Sequence, residues 1–160
     1  MNNTIKSATF LTLCLALASN AFGGDATAVT IENADNRGYF LTHTGPAHRG
    51  DHARNVQLDQ ASTKWILHNR GGGRYFIENS DNRGYFLTHT GPAHRGDHAR
   101  NVKIERDSTQ WIIRSTGNGR YVIQNADNPG YFLTHTGPAH RSENARNVKI
   151  ESDSTQWIVR

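Results

Sequence analysis

Histidine, arginine, aspartate and asparagine crowd into one short stretch of this 160-residue chain, and the stretch recurs. His43, His48, Arg49, Asp51, His52, Arg54 and Asn55 fall within 13 residues, and His89, His94, Arg95, Asp97, His98, Arg100 and Asn101 repeat them. A third copy keeps His135, His140, Arg141, Arg146 and Asn147, with Glu143 and Asn144 in place of the Asp-His pair. Imidazole, carboxylate, amide and guanidinium groups together both donate and accept hydrogen bonds, which suits a ligand made of hydroxyls, such as a neutral sugar. Tyr39, Tyr85 and Tyr131 stand just upstream, and an aromatic face packs well on a sugar's C–H surface. The candidate sugar contacts are therefore His43, His89 and His135, the three tyrosines, and the loop residues His48, His94, His140, Asp51 and Asp97. Arg54-Asn55 and their copies suit the plainer task of tying a long loop to backbone.

Other chemistries draw on the same residues. His43-x4-His48 with Asp51-His52 offers nitrogen and oxygen ligands, as would one histidine per copy meeting on an axis. The spacing matches no zinc motif and the third copy lacks the Asp-His pair, so no metal and no cofactor is expected. Catalysis needs one group poised differently from its neighbours. A polar set copied three times serves multivalent binding instead, and no enzyme is expected. The alternatives to a glycan are a protein or polyanion bound through the histidine- and arginine-rich loops, or a metal-binding role for the histidines.

The elements that must position these groups follow from the repeat. Residues 36–56 read NRGYFLTHTGPAHRGDHARNV, residues 82–102 are identical, and residues 128–148 read NPGYFLTHTGPAHRSENARNV. The offset is 46 residues, giving units 29–74, 75–120 and 121–160. Each unit carries four short strands, at 29–33, 38–43, 56–59 and 64–68 in the first. A Asp-Asn-Arg-Gly or Asp-Asn-Pro-Gly turn separates strands one and two, and a long Gly-Pro loop separates two and three. Alternation puts Tyr39, Leu41 and His43 on one face, Val56 and Leu58 inward, and Trp65 with Leu67 on a shared face. The recurring Trp65, Trp111 and Trp157 read as core. Arg70-Gly71-Gly72-Gly73-Arg74 reads as a turn. Three blades are too few for a propeller, and a solenoid would need distinct caps. The expected fold is an all-β β-trefoil of three 46-residue repeats with pseudo-threefold symmetry.

Composition agrees. A net charge of +4 is too small and too mixed for a dedicated DNA binder, and nucleic acid is not an expected partner. No apolar run reaches the roughly 18–20 residues of a membrane span. Lys6, the apolar run 8–18 and the small residues Ser19, Ala21 and Gly23 form a cleavable export signal over 1–23, leaving one domain at 24–160. The protein is thus expected to be secreted, or periplasmic in a Gram-negative host. Cys14, the chain's single cysteine, leaves with the signal, so the mature fold forms without disulfides.

The string Val-x-Ile-x-Asn-x-Asp-Asn-x-Gly-Tyr-Phe-Leu-Thr-His, followed by Asp-Ser-Thr-Gln-Trp-Ile, resembles the trefoil carbohydrate-binding modules of arabinofuranosidases of the B type. Asn128-Pro129-Gly130 through His135 is the closest match, and galactose-binding trefoil lectins are a parallel analogy. In such modules the strand-end histidine and a late aspartate touch the sugar. The resemblance therefore implies His89 with Asp107 and His135 with Asp153, while Ala61 holds the aspartate position of the first unit.

Overall fold

The computed structural model describes residues 26–43, 45–49, 55–89, 101–135, 137–139 and 148–160. The expected export signal, residues 1–23, and Cys14 lie outside them. The first unit contributes β1 (Ala26–Val29), β2 (Ile31–Asn33), β3 (Phe40–Thr42), β4 (Gln57–Asp59) and β5 (Trp65–Asn69), with a one-turn 3-10 helix at Ala47–Arg49. The second contributes β6 (Arg74–Asn79), β7 (Phe86–Thr88), β8 (Lys103–Glu105) and β9 (Trp111–Gly117). The third contributes β10 (Arg120–Asn125), β11 (Phe132–Thr134), β12 (Lys149–Glu151) and β13 (Trp157–Val159).

The strands pair antiparallel in a ring: β1 with β5, β5 with β6, β6 with β9, β9 with β10, β10 with β13, and β13 with β2. Only Thr30 separates β1 from β2, and it exchanges two backbone hydrogen bonds with Arg160. The ring therefore closes as a six-stranded barrel with no free edge. The hairpins β3–β4, β7–β8 and β11–β12 complete a β-trefoil. Two details differ from the sequence expectation: the second strand covers Phe40–Thr42 rather than 38–43, because the turn before it still includes Gly38, and the first strand is split. The first strand is two elements, because it changes partner at Thr30, from β5 behind it to β13 ahead.

Burial explains why these segments hold together. Trp65, Trp111 and Trp157 are fully buried. Their indole N–H groups donate to the carbonyls of Leu41, Leu87 and Leu133 at 2.9, 2.8 and 2.9 Å. Each ring thus fills the core without an unpaired donor and ties a barrel strand to its hairpin. Truncating such a side chain typically costs about 3–5 kcal/mol. Ile31, Leu58, Ile77, Ile104, Ile123 and Ile150 fill the space between.

On the pseudo-threefold axis the amide of Val56 donates to the carbonyl of Val102, Val102 to Val148, and Val148 back to Val56, at 3.1, 3.2 and 3.3 Å. The three units are stitched by this closed ring of backbone bonds. Buried amides need partners, and here each unit finds its partner in the next.

Candidate functional site

Each unit presents the same local construction, starting from a buried asparagine at the end of its first strand. Asn33, Asn79 and Asn125 are fully buried. Their Oδ1 atoms accept from the next turn's backbone amides: Asp35 and Asn36, Asp81 and Asn82, Asp127 and Asn128. This Asx geometry folds the Asp-Asn-x-Gly turn, and Gly38, at φ +80°, completes it where a side chain would be strained. The turn delivers Tyr39, Tyr85 and Tyr131 to the mouth of the following hairpin, half-buried and packed against the core.

In the first two units a second asparagine of the turn reaches across a unit boundary. Asn36 donates from its amide to the carbonyl of Gly137 at 3.2 Å and accepts from the amide of Ala139 at 3.0 Å. Asn82 does the same with Gly45 and Ala47, at 3.2 and 2.9 Å. The turn of one unit thus holds down the root of another unit's histidine-rich loop.

The strand-end histidines do not lie open at the loop mouth. His43, His89 and His135 are only 2%, 3% and 5% exposed. Their backbone is clamped by a threonine 20 residues on. The hydroxyls of Thr63, Thr109 and Thr155 each accept from the histidine amide and donate to its carbonyl. Of the loop residues, His48 is exposed, while His94, His140, Asp51 and Asp97 lie outside the described residues. Among the described residues no three histidine, cysteine, aspartate or glutamate side chains gather to hold a metal.

Asp107 and Asp153 come close to the histidines along the chain path, but through backbone. Their carbonyls accept from the hydroxyls of Thr88 and Thr134 at 2.7 and 2.6 Å. The carbonyl of Ala61 does the same for Thr42 at 2.6 Å, so this task needs no particular side chain. The two carboxylates are exposed while the neighbouring imidazoles are buried. Sequence reasoning missed Arg106, which is found in the second unit alone. Its guanidinium lies 5.4 Å from the centroid of the Tyr85 ring, and its Nε donates to the tyrosine hydroxyl at 3.4 Å. The contact sets Tyr85 beside the turn that carries Asp107.

Glu32 and Glu78 are buried carboxylates under the same turns. Glu78 accepts from the amide of Gly84 at 2.8 Å, from Arg83 at 2.9 Å, and lies 2.8 Å from His68. Burial alone would push its carboxyl up. The Gly84 amide, His68 and Arg83 outweigh it and hold the group below the usual carboxylate value.

Comparison with known proteins agrees with this architecture. Residues 61–150 match the family model described as ricin-type β-trefoil lectin domain-like. Among solved structures, a mosquitocidal holotoxin aligns with a TM-score of 0.62 at 16% identity, over 86% of this chain and 17% of its own. The designed threefold-symmetric protein ThreeFoil aligns with a TM-score of 0.56 at 18% identity, over 82% of this chain and 96% of its own. This chain therefore spans about a sixth of the holotoxin's length. No curated protein matches, and the arabinofuranosidase-B-type resemblance is not confirmed. With a closed trefoil and a family model covering more than half its residues, the chain belongs to the ricin-type β-trefoil lectin domain-like family.

Proposed function

We propose that the protein is an exported, non-catalytic lectin that binds glycans through up to three similar pockets, one per repeat. The supporting observation is the half-buried tyrosine that recurs in all three units of a lectin-family barrel, each set by an Asx turn. The ring face stacks on the sugar, and Asp107 and Asp153 supply exposed acceptors for its hydroxyls. His48, His94, His140, Asp51 and Asp97 contribute from the loops. The buried His43, His89 and His135 hold the loop roots in place. With Ala61 in place of the aspartate, the first pocket is the weakest. Sites repeated on one rigid body gain avidity for a ligand that is itself repetitive.

The test is a glycan array probed with the mature protein, followed by titration of an enriched glycan. Tyr85→Ala and Tyr131→Ala should each weaken binding about fivefold or more, the scale of one lost aromatic contact. The double variant should also lose the avidity of the wild type. No enriched glycan at micromolar protein, or full affinity in the double variant, would overturn the assignment.

A further inference from the structure

A cleft of about 770 Å³ opens where the third repeat meets the first. Its walls are the turn at 34–37, the hairpin tip at 116–120 and the end of the chain's last strand. Arg37, Arg120 and Arg160 line it together with Thr116, Asn118 and Gln156. Three guanidinium groups therefore share one recess.

Glu32 is the carboxylate that pairs here, with Arg37 at 3.4 Å and Arg160 at 3.3 Å, and one of its oxygens is already taken by the amide of Gly38. Both arginine side chains remain more than half exposed, at 58% and 63%. A guanidinium carries five N–H donors, so each keeps several for a ligand. Arg120 is bonded to a neutral partner, Gln156 Oε1, at 3.1 Å, and has no carboxylate partner among the described residues. Glu32 and the exposed Asp35 of the same turn offset part of that charge, and the guanidinium groups are presented as planar forks that match a carboxylate or sulfate.

The threefold mates of this cleft are built differently. At the junction of first and second repeats, Lys64, His68 and Arg83 take the places of Gln156, Arg160 and Arg37, and Ala28 replaces Arg120. Between second and third repeats Arg74 keeps its bond to Gln110, at 3.4 Å, but Pro129 stands in place of Arg37. Arg114 keeps the place of Arg160 there and Gln124 stands for Glu32, so what sets the third-to-first cleft apart is that it alone of the three brings three arginines together.

The geometry points to a binding site for the anionic substituent of a glycan, a uronate carboxylate or a sulfate ester, held by Arg37, Arg120 and Arg160. Among the described residues lining the cleft there is no aromatic side chain on which a nucleobase would stack, whereas Thr116, Asn118 and Gln156 offer partners for sugar hydroxyls. The choice of a glycan rests on the lectin reading, but the site uses none of the tyrosine pockets.

Binding is measured by calorimetry at about 50 mM salt with a sulfated hexasaccharide, an oligogalacturonate, a neutral oligosaccharide, inorganic sulfate and a single-stranded oligonucleotide. The sulfated or uronate glycan should bind more tightly than the neutral one and weaken as salt rises. Arg37→Gln with Arg120→Gln should reduce that affinity about tenfold, with the melting temperature kept, because both side chains are exposed. Any binding of the neutral oligosaccharide should be the same in the arginine double variant as in wild type, so failure here and failure of the tyrosine pockets are distinguishable. Unaltered affinity in the arginine double variant, or no preference for either anionic glycan, would overturn the site. Equal binding of the oligonucleotide would overturn its assignment to a glycan. Preference for sulfate over uronate, or the reverse, identifies which anion the site takes.

Discussion

His89 and Thr109 illustrate how a side chain can serve a site without touching its ligand. The Thr109 hydroxyl completes the backbone bonding of His89 where β7 stops, and the imidazole lies buried behind it. His89→Ala should therefore lower unfolding free energy by about 1–3 kcal/mol in urea titrations, the scale of emptying a buried polar position. A stability equal to wild type would instead mark the ring as a surface contact. The histidine's recurrence was visible in the sequence, and so was the Ser-Thr-Gln-Trp pattern that contains its clamp. What could not be seen was the bond between them, because the partners are 20 residues apart and neither belongs to a shared local motif. Trp111 was legible for the opposite reason. A large apolar ring repeated in phase with a strand has one low-energy place to go.

The Asp-Asn-x-Gly turn was also legible, because its residue types encode its geometry. Its second role was not. Asn82 is identical in type to the turn-forming asparagines of many hairpins, yet it also accepts from the Ala47 amide and donates to the Gly45 carbonyl in the preceding repeat. Local sequence cannot report a contact across 35 residues. Asn82→Ala should cost about 2 kcal/mol, with a buried amide left short of its acceptor. Hydrogen exchange should show the Ala47 amide losing protection while the barrel strands keep theirs. Equal loss of protection throughout would mean that the clasp supports the fold rather than the loop. The split of the first strand at Thr30 was equally hidden, since it arises from barrel closure against Arg160 and not from anything at Thr30 itself.

Across the whole molecule the backbone obeys threefold symmetry more closely than the charge does. Glu32 and Glu78 have Gln124 as their third-repeat counterpart, which accepts from Arg114 at 2.7 Å without carrying a charge. The Glu78 carboxyl is held below its ordinary value of 4.5 in the fold. Its stabilising contribution is therefore complete above that ordinary value and disappears as pH falls through the lower, folded one. Glu78→Gln should make the protein less stable than wild type near pH 7, and the difference should shrink as thermal melts are carried down towards about pH 3. A gap independent of pH would show that the carboxylate's charge is irrelevant to the fold. The valine ring on the axis has a different consequence. Because residues 36–56 and 82–102 are the same, either segment fits the other's socket, in its own chain or in another's. Molecules refolding side by side at high concentration can therefore trade hairpins and emerge interlinked, each barrel complete but assembled from borrowed parts.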